Sequence, residues 1–135
     1  RLASNIQLNI LRSQDTSFHL NIEKRAQANS YYDAKDYAEN ISYNILENQN
    51  TLSFNQFFRV PSEDPYQQQD IKLTLLMPIG KSVYFDESIK YFIYDIRNIH
   101  RMHDREMIGH TWNMTDKGLA CLNCDDELIH REIIK

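Results

Sequence analysis

The residues with the clearest capacity for chemistry are two cysteines near the end of the chain. Cys121 and Cys124 form a Cys-x-x-Cys sequence, and the chain has no other cysteine. Such a pair can supply two of the four ligands of a tetrahedral zinc site. The histidines that could complete the site are His100, His103, His110 and His130. Their spacing matches no standard zinc finger, so we predict no bound metal and keep as candidate ligands only Cys121, Cys124, His103 and His110.

The same cysteine pair has three other interpretations. A redox-active Cys-x-x-Cys usually lies at the N-terminus of a helix, where the helix dipole lowers the thiol pKa. Here the pair follows a glycine turn and a strand pattern, which does not favour thioredoxin-like chemistry. A simple disulfide between Cys121 and Cys124 stays open, as do two small apolar side chains in or near a final strand.

A charged stretch from His100 to Glu106 is the one place where acid–base catalysis could be sought. A histidine beside a carboxylate can be tuned for proton transfer. No nucleophile or glycine-rich anion cradle accompanies the stretch, and its charge density is typical of a solvated loop. The chain also lacks the common nucleotide-binding, hydrolase and metalloprotease motifs. We therefore predict no catalytic residues in this stretch and no cofactor.

Aromatic side chains give a second kind of signal. Tyrosines at strand positions usually cover a sheet, whereas several that are exposed together mark a protein–protein surface. Adjacent residues of one element cannot all face the same core. The neighbouring pairs Tyr31–Tyr32 and Phe57–Phe58 are therefore the aromatic residues most suggestive of an interface.

Composition limits the class of protein that must position these residues. A length of 135 residues suits a single domain, and 41% hydrophobic with 25% charged residues is ordinary for a globular chain. The net charge is −4 and the basic residues are scattered, which disfavours nucleic acid and anionic lipid as partners. No apolar run approaches the ~18 residues of a membrane span. A strand-like pattern begins almost at Arg1, which suggests a fragment of a longer protein.

The first half of the chain alternates in the manner of short strands. Apolar residues recur at every second position from Ile6 to Ile10 and from Phe18 to Ile22, which predicts two strands paired as an antiparallel hairpin. Ser30 is a possible N-cap, and the apolar residues that follow have helical spacing, which predicts one helix near residues 30–42. Further strands are predicted around residues 43–54.

The second half continues the same pattern. Ile71, Leu73 and Leu75 alternate, and a short strand is predicted at 83–85. Residues 86–96 have helical spacing but β-rich residue types, and we favour short strands there. A strand at 109–114 and a turn at Asp116–Gly118 precede the cysteines. The fold class predicted is mainly β (a β-rich α+β fold), with layered or solenoid-like short strands and one helix.

Several stretches of the chain resemble a known family. In the second half they are PIGKSVYFDES (78–88), YDIRNI (94–99), MIGHTWNMTDKGL (107–119) and CLNCD (121–125). Earlier in the chain, FHLNIEK (18–24) and residues 34–45 fit as well. Together they resemble the C-terminal soluble β-rich region of PspC-type (phage-shock-protein-C-like) membrane proteins of Bacteroidetes. The most specific marker is the run whose candidate binding residues are Gly109, His110, Trp112, Met114, Thr115, Asp116 and Gly118.

The resemblance implies a role at the cell envelope. Proteins of this type resemble an N-terminal PspC module, then membrane helices, then a soluble β-rich region, so this chain would reach the membrane through segments outside it. The implied function is non-enzymatic sensing or relaying of envelope stress, through a protein partner or self-association. The alternatives are a metal-binding or redox domain built on Cys121, Cys124 and nearby histidines, and a structural spacer. The side of the membrane stays open.

Overall fold

A computed structural model of the protein describes residues 1–64 and 68–125. The strands in this part of the chain are short, and in order they are β1 (Leu2–Ala3), β2 (Ile6–Arg12), β3 (His19–Arg25), β4 (Ile45–Asn48), β5 (Thr51–Phe54), β6 (Phe58–Arg59), β7 (Asp70–Met77), β8 (Ser82–Tyr84), β9 (Thr111–Thr115) and β10 (Gly118–Cys121). The helices are α1 (Tyr31–Glu39), a 3₁₀ helix (Glu87–Tyr91) and α2 (Asp104–Met107).

Hydrogen bonds group these strands into small sheets of two or three members. The strand orders are β1–β6, β2–β7–β3, β4–β5 and β8–β9–β10. Strand is therefore the predominant regular structure of the described chain, and α1 is its principal helix. The predicted fold class, a mainly β protein of layered short strands with one helix, is confirmed.

The chain forms two compact units. The first contains Arg1–Gln7 and the described part of Ile22–Leu73. Its core consists of large apolar side chains that are almost fully buried, namely Ile6, Ile41, Phe58, Val60, Ile71 and Leu73. Burying a side chain of this size contributes roughly 1.5–3 kcal/mol, so this cluster is the main source of stability of the first unit.

The second unit contains Leu8–Asn21 and the described residues from Thr74 onward. Its core side chains are Leu8, Ile10, Leu75, Met77, Phe85, Phe92, Ile96, Met102, Met107, Trp112, Met114 and Leu119. The indole of Trp112 is fully buried, and its Nε1–H donates a hydrogen bond of 3.0 Å to the Met107 carbonyl. The ring centroid of Phe85 lies 6.5 Å from that of Trp112. The single tryptophan thus joins β9 to the end of α2.

The predicted strands at the start of the chain are confirmed, but their pairing as a hairpin is wrong. The strand order places β7 between β2 and β3. β7 is the longest of the three, with eight residues against seven in β2 and seven in β3, and it offers backbone hydrogen-bonding groups along both of its edges. Beyond the end of β2, the Ser13 N–H donates a hydrogen bond of 2.7 Å to the Met77 carbonyl. Chain neighbours therefore lie on opposite sides of a strand that arrives some 50 residues later.

Helix α1 begins where the sequence predicts. Ser30 has extended backbone angles, and its Oγ accepts a hydrogen bond of 3.1 Å from the Asp33 N–H. This bond satisfies one of the free N–H groups of the first turn. The predicted apolar face turns inward, and its half-buried helical members are Ala34, Tyr37 and Ala38.

The helix ends at Glu39, three residues before the predicted end at residue 42. Ile41 leaves the helix and turns into the core of the first unit, where 2% of its surface remains exposed. Ser42 then pairs with Arg59 through two backbone hydrogen bonds of 2.8 and 2.9 Å. The predicted helical register stops because a buried isoleucine and a β-bridge replace the next turn.

The prediction of short strands at 86–96 is wrong for its first part, which is the 3₁₀ helix. Asp86 caps this helix, because its carboxylate accepts hydrogen bonds from the Ser88 hydroxyl at 2.7 Å and from the Ser88 N–H at 3.1 Å. These bonds hold the pKa of the Asp86 carboxyl below its usual value. Beyond the helix, Ile93 makes only an isolated parallel bridge to Leu8. A local cap therefore overrides the β preference of the residue types.

The predicted strand and turn before the cysteines are confirmed. Strands β9 and β10 pair in antiparallel fashion around the turn at Asp116 and Lys117. Gly118 has a φ of 122°, a conformation that residues with a Cβ rarely adopt. The Thr115 hydroxyl closes the turn by donating to the Gly118 carbonyl at 2.6 Å and accepting from the Lys117 N–H at 3.1 Å. For the tail from Asp125 to Lys135 the sequence leaves open a short helix or a frayed end, and residues 126–135 lie outside the described residues.

Candidate functional site

The hairpin of β9 and β10 delivers both cysteines to one short loop. Its register places Cys121 opposite Trp112, and the chain then turns back at residues 122–124. Cys121 and Cys124 are joined by a disulfide, with their Cα atoms 5.7 Å apart. Both cysteines are half-buried. Of the interpretations open at the sequence level, the structure contains the disulfide.

Three hydrogen bonds anchor this cysteine loop (residues 121–124) without involving sulfur. The Leu122 N–H donates to the Thr111 carbonyl at 2.9 Å. The Thr111 N–H donates to Oδ1 of Asn123, also at 2.9 Å. The Cys121 N–H donates to Nε2 of His100 at 3.0 Å. The loop is therefore attached both to β9 and to a histidine from an earlier segment.

His110 is the histidine that lies beside the two sulfur atoms. Its ligating nitrogen and the Sγ atoms of Cys121 and Cys124 all lie within 4.8 Å of one another, and they form the group of possible metal ligands among the described residues. The backbone holds His110 in place, because its carbonyl accepts from the Phe85 N–H at 3.2 Å and the preceding Gly109 N–H donates to the Phe85 carbonyl at 2.7 Å. His110 itself is half-buried.

The other predicted histidine ligands have different surroundings. The His100 ring lies 6.0 Å from the Trp112 ring, and its Nε2 is occupied as the acceptor for Cys121. Partial burial lowers the pKa of His100, which favours the neutral ring that this bond requires. His103 is exposed, precedes α2 as its N-cap residue, and is not in the ligand group. His130 lies outside the described residues.

The charged stretch at 100–106 is engaged in holding the backbone. The two carboxylate oxygens of Asp104 accept hydrogen bonds from the Asp95 N–H at 2.6 Å and from the Ile96 N–H at 2.8 Å. Asp95 has a φ of 52°, so this bond stabilises an unfavourable backbone conformation. The structural role of Asp104 was not predicted, because neither partner is close to it in the sequence.

Asn98 is a second residue that sequence analysis missed. Its Oδ1 accepts from the N–H groups of His100 and Met102, and its Nδ2 donates to the Met102 carbonyl. These contacts shape the turn that brings His100 to the cysteine loop. An asparagine two residues before a turn is a weak signal, since its side chain can replace backbone partners there.

The candidate binding residues of the family-like run mainly build the hairpin. Trp112 and Met114 are core residues, and Thr115, Asp116 and Gly118 form the turn. Gly109 has a φ of 82° and precedes the strand. Only His110 of this set is in the ligand group with the cysteines.

A second candidate surface lies in the first unit, at the start of α1. Tyr31 and Tyr32 are 74% and 83% exposed, and their rings meet edge to face with centroids 6.0 Å apart. We call these two residues the tyrosine pair. Phe57 is 48% exposed whereas Phe58 is fully buried, so only one of those two neighbours faces solvent. The expectation that adjacent aromatic residues cannot all enter the core is confirmed at both places.

Comparison with known families identifies the family to which this architecture belongs. A family model described as "ToastRack found in some PspC" matches residues 1–127. The chain belongs to this toast-rack family. The match covers nearly the whole sequence and confirms the resemblance to the C-terminal region of PspC-type proteins. No curated protein and no solved structure matches the chain.

The toast-rack family of PspC proteins is a non-catalytic domain family. Its members occur in a membrane protein, at the C-terminal end. None of the helices described for this toast-rack domain is long and apolar enough to cross a membrane.

Proposed function

We propose that this chain is a non-enzymatic interaction or sensing domain of an envelope-stress, PspC-like membrane protein of the Bacteroidetes type. It is one domain of that protein, lies at the cell envelope, and is tied to the membrane by segments outside this chain. It acts through protein–protein contacts, with a protein partner or with a second copy. The observation that carries the proposal is the family match over residues 1–127.

The tyrosine pair supports a contact function. Two adjacent rings that expose about three-quarters or more of their surface contribute nothing to the core. Tyrosine combines a large apolar ring with a hydroxyl that can hydrogen-bond, and it is enriched at interfaces and among the residues that dominate binding energy. The backbone that carries the pair is held at the first turn of a capped helix, so it loses little freedom on contact.

A strand edge offers a second mode of contact. β4 and β5 form a sheet of only two strands, so each has an outer edge within the described chain. Leu46 on β4 is 68% exposed. An exposed edge with an apolar side chain can accept a further strand from a partner, which then supplies main-chain hydrogen bonds.

The test uses the full-length membrane protein in cells, with and without envelope stress. Chemical crosslinking followed by affinity capture and mass spectrometry identifies what is bound. The proposal expects a specific protein, or the protein itself, whose capture changes under stress and falls when Tyr31 and Tyr32 are both replaced by Ser. Tyr94→Ser is the matched control, because Tyr94 is also well exposed, at 66%, but belongs to the second unit.

Two results would contradict the proposal. One is capture that is unchanged by stress and unchanged in the tyrosine variant. The other is intact stress signalling after the whole domain is replaced by an unrelated β domain, which is the expectation of a structural spacer.

A further inference from the structure

We propose that the disulfide of the cysteine loop is the oxidised form of a zinc site. When a thiol reductant breaks this disulfide, His110, Cys121 and Cys124 become able to bind zinc. The site lies in the second unit and does not depend on the contact function proposed for the tyrosine pair. It would hold zinc through one imidazole and two thiolates, with water in the fourth position.

The distances between the ligand atoms are close to those that zinc requires. With Zn–S bonds of about 2.3 Å and a Zn–N bond of about 2.0 Å, tetrahedral geometry separates the ligand atoms by roughly 3.5–3.8 Å. The three ligand atoms already lie within 4.8 Å of one another. Once the sulfur–sulfur bond is broken, rotation of the two cysteine side chains separates the sulfurs, and the Cα–Cα distance of 5.7 Å accommodates this without backbone movement.

The loop retains its position when the disulfide is opened. Its bonds to Thr111 and His100 use backbone and side-chain groups other than sulfur. The two thiols are therefore released beside His110 rather than into a free chain end. A ligand set held in place before metal arrives loses less conformational entropy on binding, which favours affinity.

His100 supports the site without being a ligand. Its Nε2 accepts the Cys121 N–H and so fixes the first cysteine of the loop. In the described structure the imidazole of His110 makes no comparable hydrogen bond to a backbone group. The two rings therefore have different roles: His100 positions the cysteine loop, and His110 is the ligand.

The partial burial of the ligands suits a site that can be switched. His110, Cys121 and Cys124 are all half-buried, so a small reductant and a hydrated zinc ion can reach them. Thiolate is a soft ligand that zinc binds well, whereas a disulfide offers no thiolate. Oxidation therefore closes the site and reduction opens it.

A dithiol transfers two electrons and two protons to the Cys121–Cys124 bond, which breaks to give two thiols while the dithiol becomes a disulfide. Zinc(II) then forms bonds to both sulfurs and to a ring nitrogen of neutral His110. The two thiols release two protons to solvent.

The experiment measures metal binding to purified protein in its oxidised and reduced states. The reductant is a water-soluble phosphine, removed before metal is added, and the probes are zinc by competition with a chromophoric chelator and cobalt(II) by its visible spectrum. The expected result is a single equivalent of zinc on the reduced protein, none at this site on the oxidised protein, and thiolate-to-cobalt charge-transfer bands for the reduced form alone.

Single-residue variants assign the ligands. Removing the ring in His110→Ala should weaken zinc binding at least about tenfold, and Cys124→Ser should weaken it further. His103→Ala should bind as the parent does, because His103 is outside the ligand group. Circular dichroism and the fluorescence of Trp112 establish that each variant is folded. Equal weakening in the His110 and His103 variants, or no zinc on the reduced parent protein, would overturn the proposal.

Discussion

Replacing Asn98 by alanine should destabilise the second unit more than replacing an exposed asparagine by alanine does. The Asn98 Oδ1 accepts the His100 N–H at 3.1 Å and the Met102 N–H at 2.9 Å, and its Nδ2 donates to the Met102 carbonyl at 2.9 Å. Met102 is buried, so water cannot readily replace the lost partner at its backbone groups. The variant leaves those groups without the side chain that satisfies them.

The size of the effect follows from these three bonds. A hydrogen bond contributes about 1 kcal/mol net, and a buried group left unpaired costs about 1–3 kcal/mol, so Asn98→Ala should lower the free energy of unfolding by about 3 kcal/mol. Asn98→Asp keeps an acceptor for both N–H groups but cannot donate to the Met102 carbonyl. The aspartate variant should therefore lose less of the free energy of unfolding than the alanine variant.

Urea unfolding measures this directly, with the fluorescence of the single, buried Trp112 as the reporter for the second unit. Asn29→Ala is the matched control, because Asn29 is exposed and makes no side-chain hydrogen bond with another described residue. It should change stability by less than about 0.5 kcal/mol. If Asn98→Ala behaves like this control, the Asn98 contacts do not organise the turn and the reasoning fails.

Two further predictions concern the first unit. Burial raises the pKa of Tyr43 to about 12, so one of the eight tyrosines should ionise last in an absorbance titration, and Tyr43→Phe should remove that step. Because the folded pKa is above the ordinary value of 10.0, the contribution of Tyr43 to the free energy of unfolding is complete below pH 10.0 and is lost as pH rises towards 12. An absorbance titration in which all tyrosines ionise together near pH 10.0 would contradict this prediction. Ile41→Ala should destabilise by about 2–5 kcal/mol in urea unfolding, whereas Leu46→Ala should cost under about 0.5 kcal/mol, and similar losses for the two would contradict the assigned core.

Local patterns in the sequence predict local structure well in this protein. The alternation in β2 and β7 is matched by alternate buried positions, and Ser30 caps α1 as its residue type suggests. What the patterns could not reveal is the partner of each strand. β7 separates β2 from β3, and this order of strands is settled by tertiary packing rather than by neighbours in the chain.

The cysteine site was only partly accessible from sequence. The four histidines could be named, but nothing in their spacing selected His110 over His103. The missing information lies in the pairing of β9 with β10, because the turn at Asp116 and Lys117 sets Trp112 opposite Cys121. That register brings residue 110 alongside the cysteine loop two positions further on.

The most direct test of the central claim is photocrosslinking from the surface itself in living cells. A photoreactive residue is placed at position 32 of the full-length membrane protein, with position 94 as the control, and cells are compared with and without envelope stress. We predict a defined adduct from Tyr32, with another protein or a second copy, whose yield changes under stress and which is not formed from Tyr94. Adducts that are the same from both positions and indifferent to stress would contradict a contact function for this domain.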